Sequence, residues 1–278
     1  MRKLGQHFLK NKKIAAAIAD AVAPRTGDDV IEIGPGHGEL TALLAERCNA
    51  VDAPLTVIER DARLIEGLRS RFSNASDKKY GPDASGAAVS VIEGDALTVL
   101  PTLMEERRNA KFLLAGNLPY YITGYLLRII GEMPSPPERC VFMVQREVAE
   151  RIIAAPPHMN RLAASVQFWA TPSIILGVPR ADFSPPPKVE SAVLLFAAHP
   201  PKSKKENGAA SNDAYYRAVR ALFAQPRKTI INNIAASLPS TTKEALSARL
   251  ASLTLAPNAR PQDLSIEGIA ALAKTFFS

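Results

Sequence analysis

From residue 28 to about residue 196 the chain alternates short apolar runs with segments of helical period, and this limits the available folds more than any other feature. DVIEIG (29–34), LTVIE (55–59), AVSVIEG (88–94), FLLAGN (112–117), CVFMVQ (140–145), AASVQFWA (163–170) and SAVLLFA (191–197) read as strands. Between several of them lie ELTALLAERC (39–48), ARLIEGLRSRF (62–72) and TGYLLRIIGEM (123–133), whose apolar residues recur at helical spacing. Strand and helix in turn predict an α/β fold, a mostly parallel sheet with helices on both faces.

The punctuation sets the domains. The polar stretch 73–86 reads as a loop, and KSKKENGAASN (202–212) has the composition of a linker. Beyond it, 213–238 reads as helical. Residues 1–200 are therefore expected to form the large α/β domain, and 201–278 a small, basic, helical one. No internal repeat is visible.

Several function classes are excluded. Cys48 and Cys140 have no CxxC spacing and make neither a disulfide framework nor a zinc site. The four histidines are not paired at helical spacing, so no catalytic metal is expected. The run 14–24 resembles a signal peptide, but Asp20 interrupts it and Ile14, Ile18 and Val22 mark an amphipathic helix. No segment is long and apolar enough to span a bilayer. The expected location is the cytoplasm.

Charge is unevenly placed. Of a net +7, most lies after residue 200, where eleven basic residues face five acidic ones. Arg2, Lys3, Lys10, Lys12 and Lys13 form a second cluster. Either alone is an ordinary solvated surface; two clusters flanking a balanced middle suit a polyanionic partner such as RNA or DNA.

The first strand ends in EIGPGHGELT (32–41), with Gly34, Gly36 and Gly38 alternating and Glu32 two positions before the first glycine. Ligands of doubly wound sheets bind where strand carboxyl ends meet helix N-termini, and glycine admits backbone close to them. The G-x-G-x-G spacing differs from the dinucleotide G-x-G-x-x-G. Glu59 closes the second strand, placed to accept ribose hydroxyls. Asp95 follows the third, placed either for an adenine amino group or as a helix N-cap. Together these resemble the class I S-adenosylmethionine-dependent methyltransferases, of Rossmann-like fold. An NAD-binding domain is the rival, but the chain has nothing like a hydride-transfer site.

After the fourth strand, Asn117-Leu118-Pro119-Tyr120 resembles the N/D-x-P-Y signature of amino-directed nucleic-acid methyltransferases. An adenine amine is planar, its lone pair delocalised into the ring. Two acceptors aimed at its hydrogens favour pyramidal geometry and stabilise the charge that develops. The Asn117 amide oxygen and the Leu118 carbonyl can supply them, Pro119 fixes the turn, and Tyr120 offers a stacking face worth roughly 1–3 kcal/mol. No general base is needed, since the methylated ammonium loses its proton to water. A bare Pro-containing turn explains Pro119 but neither flanking residue. In FSPPPKVESAV (183–193), Phe183 is expected against the other face of the base and Lys188 near phosphate; the rival is a rigid connector.

GQHFL (5–9), EIGPGHGELT, NLPYYIT (117–123), MVQREVAERI (143–152), FSPPPKVESAV and LFAQPRKTIINNI (222–234) occur in the order of the small-subunit (16S) rRNA adenine dimethyltransferases, the kasugamycin-resistance methylase type. The resemblance spans nearly the whole chain. It implies transfer of two methyls from S-adenosylmethionine to each of two adjacent adenosines, in a hairpin near the 3′ end of small-subunit rRNA within a late 30S assembly particle. It places cofactor contacts at His7, Leu9, Gly34, Glu59, Asp95 and Asn117, with Gly36 in the same loop. Arg227 and Lys228 are expected on rRNA phosphate, and the enzyme is expected to act as a monomer. The chain departs from the family's usual Asn at His7 and Tyr121. Rivals are the large-subunit rRNA adenine methylases, a DNA adenine methyltransferase, and an RNA-binding assembly factor with secondary catalysis; FAQPRKTIINN favours the small-subunit group.

Overall fold

The computed structural model describes residues 7–72, 89–108, 110–119, 121–200 and 211–278. The loop at 73–86, most of the 202–212 linker, Tyr120, Arg2 and Lys3 lie outside the described residues. By contacts the chain divides into two units, 1–149 with 171–198 and 150–170 with 199–278.

In the first unit the apolar runs become strands. The elements are β1 (Phe8–Leu9), α1 (Lys12–Val22), β2 (Asp28–Ile33), α2 (Glu39–Asn49), β3 (Leu55–Glu59), α3 (Ala62–Phe72), β4 (Val89–Glu93), α4 (Ala96–Glu106), β5 (Lys111–Asn117), α5 (Thr123–Glu132), β6 (Arg139–Gln145) and α6 (Arg146–Ile152), which runs into the second unit. The strands are buried along most of their length in β2, β3, β5 and β6 and only partly buried in β4 at the sheet edge. Strand order is β4-β3-β2-β5-β6, all parallel, followed by β9 (Ser191–Ala198) antiparallel to β6 and then β7 (Ala170–Val178). The chain leaves β2 toward β3 and β4, then returns to β5 on its other side, so the carboxyl end of β2 is the topological switch point.

The β2–β5 contact is unusually close. A Cβ on Gly116 would collide with the Ile33 backbone carbonyl. α1 buries Ile14, Ile18 and Val22 as its period requires, with Asn11 accepting from the Lys13 N–H at its start. A separate short pair joins β1 to β8 (Phe183–Ser184), with Leu9 opposite Phe183.

The second unit holds α7 (Arg161–Gln167), α8 (Asn212–Leu222), α9 (Ile230–Ser237), α10 (Lys243–Ser252) and α11 (Ile266–Phe277). Residues 163–170, expected as a strand, are the core of α7 and its exit. Asn160 caps that helix by accepting from the Leu162 and Ala163 N–H groups, and its small residues let α8 approach. The Tyr215 and Tyr216 hydroxyls donate to the Ala164 and Ser165 carbonyls, and Phe168 stacks on Tyr215 at 3.6 Å. A helix buried on most sides shows no amphipathic period, hence the misreading. By contacts the last crossing falls at 198–199, beside the boundary expected at residue 200, and two further crossings, near 150 and 170, precede it. The helical stretch 213–238 is broken at 223–229, around Pro226, into α8 and α9. Among the described residues no helix is long and apolar enough to cross a membrane.

Candidate active site

At the end of β2, Gly34, Gly36 and Gly38 have φ of 69°, 61° and 87°, the left-handed region that glycine enters without strain. Gly36 also lies under the Phe8 ring, 3.0 Å from where a Cβ would sit. Its N–H donates to Glu59 Oε2 at 3.2 Å, while Glu59 Oε1 accepts from the Asp61 N–H at 2.8 Å. The loop and the last residue of β3 thus hold each other, and the buried Glu59 carboxylate keeps lone pairs for a ligand.

Glu32 carries the clearest sign of a ligand. It is 1% exposed and borders the same cavity as Gly34, Gly36 and Glu59, and its Oε2 has no hydrogen-bond partner among the described residues. A buried, unsatisfied carboxyl is costly unless something completes it. Burial pushes its pKa up to about 8, with Glu59 and Glu39 adding repulsion and the Thr41 hydroxyl acting the other way. A carboxyl raised in the folded state contributes stability that is full below its unfolded value of 4.5 and lost as pH climbs to about 8. Glu32→Gln removes that titration. In calorimetry without cofactor, the variant's midpoint relative to wild type should rise between those pH values; a constant difference would mean that Glu32 is already ionised at low pH.

A second cavity adjoins the first, sharing Gly34, Glu59 and Pro119, and is bordered by Asp95, Arg60 and Tyr121. Asp95 is the N-cap of α4, its Oδ1 accepting from the Leu97 N–H, and the residue also lines the cavity, with Oδ2 3.3 Å from Arg60 Nη1.

β5 ends at Asn117, and the next N–H, that of Leu118, donates to the Met143 carbonyl. The Asn117 Nδ2 donates to the His7 carbonyl at 2.9 Å, which turns the amide oxygen away from that contact. No donor among the described residues reaches the Leu118 carbonyl. The His7 ring nitrogen Nδ1 lies 2.8 Å from the Pro185 carbonyl, so this histidine braces the site through both ring and backbone. Lys10 N–H to Asp182 O, and Asn11 Nδ2 to Asp182 Oδ1, continue the tie.

His7, Leu9, Gly34, Gly36, Glu59, Asn117, Leu118 and Pro119 therefore border one cavity, and Asp95 the next. Phe183 does not join them as an open ring face. It is 1% exposed and packed in the hydrophobic core with Leu9, Ile14 and Ile18, because the β1–β8 pairing turns it inward. Tyr120 lies outside the described residues. Sequence reasoning passed over Phe8, whose ring lies against Gly36 and, at 4.4 Å, the His37 ring. The only signal was its place inside GQHFL.

Lys188 is exposed on the connector before β9, its carbonyl accepting from Arg180 at 3.4 Å. Arg227 and Lys228 are exposed on the α8–α9 turn. That turn is held from below by Asn233, 3% exposed, whose amide exchanges bonds with the Gln225 N–H and carbonyl and donates to the Lys228 and Thr229 carbonyls. Asn233 is a positioning residue that sequence reasoning also missed; its clue was the paired Asn in TIINN.

A glycine cradle at the switch point, an acid closing β3, an acid at α4 and an amide at the end of β5 together define the class I methyltransferase fold. Among solved structures, a dimethyladenosine transferase from Plasmodium falciparum is similar at 25% identity and TM-score 0.73, over 96% of each chain. The 23S rRNA methyltransferase ErmE shares the fold at 23% identity and TM-score 0.67, over 98% of this chain and 100% of that one. The ribosomal RNA adenine dimethylase family matches residues 1–276, and the chain belongs to that family. Curated relatives include ribosomal RNA small subunit methyltransferase A of Acidobacterium capsulatum, 35% identical over 98% of this chain and 90% of its own length. The protein of the same name from Synechococcus sp. is 36% identical, over 98% and 94%.

Proposed function

We propose that this enzyme dimethylates the 6-amino groups of two adjacent adenosines in a hairpin near the 3′ end of small-subunit rRNA, acting as a cytoplasmic monomer on an assembling 30S particle, with S-adenosylmethionine as methyl donor. The observation that carries the reading is Asn117. Its amide nitrogen is engaged by the His7 carbonyl, and its oxygen remains an acceptor at the rim of a cavity with an unsatisfied carboxyl.

The residues present fit the donor. Glu59 suits ribose hydroxyls, Asp95 an adenine amino group, and Glu32, whose Oε2 has no partner among the described residues, a cationic end in the first cavity. When bound, the donor supplies a methyl made electrophilic by its sulfonium. Asn117 Oδ1 and the Leu118 carbonyl would then accept from the two amine hydrogens, localising the nitrogen lone pair and stabilising the positive charge formed in attack. Tyr120 provides the stacking face, and the proton of the methylated ammonium leaves to water.

The test is methyl transfer from labelled donor to undermethylated small subunits, with large subunits and free rRNA in parallel, and nucleosides identified by mass. Dimethyladenosine from small subunits is expected. Label in large-subunit rRNA would reassign the substrate, and tight particle binding without transfer would leave an assembly factor.

Lys188, Arg227 and Lys228 are assigned to rRNA phosphate. Neutralising Arg227 and Lys228 together should weaken particle binding and lower the slope of log affinity against log salt by roughly 0.7–0.9 per lost contact. An unchanged slope removes that turn from the interface.

A further inference from the structure

Tyr121 and Tyr125, at 62% and 51% exposure, are the most exposed large hydrophobic side chains among the described residues. Tyr125 lies in the first turn of α5, and Tyr121 lies just ahead of that helix, one residue before its N-cap Ile122. Gly124 between them has open space where a Cβ would be, and Arg128 follows, its guanidinium 4.5 Å from the centre of the Tyr125 ring. Leu126, Leu127 and Ile130 point the other way, into the core. The helix thus sends a regular apolar face inward, with Gly124, Tyr125 and Arg128 on its other side and Tyr121 just before it, and no packing among the described residues accounts for the exposed rings.

This segment is continuous with the catalytic loop. The Ile122 N–H donates to the Pro119 carbonyl at 3.1 Å, and the Leu126 N–H to the Ile122 carbonyl at 2.8 Å. Methylating a base requires it to leave its stack, which strips its neighbours of stacking partners beside the entry point. Aromatic rings with an arginine among them match that need, because every base has a π-face and every nucleotide a phosphate. Glu132 lies 4.0 Å from Arg128, at the limit of an ion pair, and leaves the cation available to a stronger anion.

We propose that Tyr121 and Tyr125 form a stacking platform for a single-stranded RNA nucleotide flanking the target adenosine, with Arg128 toward its phosphate. The inference rests on the function proposed above. It also assigns Tyr121 to RNA although that residue borders the second cavity beside Asp95, so the test must separate RNA from cofactor.

The experiment compares wild type with Tyr121→Ala, Tyr125→Ala, the double variant and the corresponding Phe variants. It measures kcat and KM for undermethylated small subunits, cofactor affinity by calorimetry, and the thermal midpoint. Each alanine should raise KM for the particle by about tenfold. Phenylalanine should restore it, with kcat, cofactor affinity and midpoint little changed. Unchanged KM in the double alanine variant overturns the platform, as does a phenylalanine variant no better than alanine. A loss confined to cofactor affinity in Tyr121→Ala would make that ring a cofactor wall and overturn its part. If wild type labels no small-subunit rRNA, the function reading itself fails, an outcome distinct from all of these.

Discussion

Asn117→Ala should lower turnover on rRNA about 100-fold or more while leaving the fold intact and cofactor affinity changed far less. In the function proposed above the side chain would offer one of two acceptors for the amine, and removing a single preorganised partner of developing charge typically costs that much. Its other role is structural and modest: Nδ2 holds the His7 carbonyl at a partly buried position, a bond worth about 1 kcal/mol. Asn117→Asp separates the two roles, since it keeps an acceptor toward the amine but sets an oxygen against the His7 carbonyl. Single-turnover methyl transfer with saturating cofactor is the measurement. Near-normal transfer by Asn117→Ala would place the chemistry elsewhere on the sheet edge.

Phe183→Ala should destabilise the protein by about 3–5 kcal/mol, the usual cost of emptying a fully buried phenylalanine site. For a chain of this size that corresponds to a fall in thermal midpoint on the order of 10 °C. The ring is 1% exposed in the core cluster that holds Leu9, Ile14 and Ile18, and among the described residues its strand is the one that pairs with β1. Phe183→Leu should recover most of the loss. A residue whose task is to stack on a bound base would behave otherwise, leaving the stability of the free protein within about 0.5 kcal/mol of wild type. That result would return Phe183 to the base-binding role read from the sequence.

The contrast between these two residues marks how far sequence reasoning reaches. Both lie in recognisable motifs, yet only Asn117 occupies the expected kind of place. It ends a strand whose apolar run is unmistakable, at a sheet edge that topology dictates, so its neighbourhood follows from local pattern. The direction in which Phe183 points depends on pairing with Leu9, more than 170 positions away, and no local pattern records that. The five parallel strands were legible for the same reason as Asn117, being continuous apolar runs ended by glycine, acid or amide. β7 was not: Pro172 and Gly177 interrupt it, and much of its middle is exposed, as suits the edge of a sheet. α7 was misread because small buried residues suit either structure until a partner is present. Glu32 was visible as an acid inside a strand, but the absence of any partner for its Oε2 emerges only from packing.

The strap at the start of the chain has a consequence for biosynthesis. Phe8 and Leu9 wall the first cavity, and they are fastened there by bonds reaching from Asn11 to Asp182 and from His7 to Pro185, spans of 171 and 178 residues. The glycine loop, Glu59, Asp95 and Asn117 all leave the ribosome well before residue 182. The side of the cavity that the strap supplies cannot close until the connector emerges. An enzyme of the ribosomal RNA adenine dimethylase family therefore lacks this wall of the cavity until residue 185 has been made.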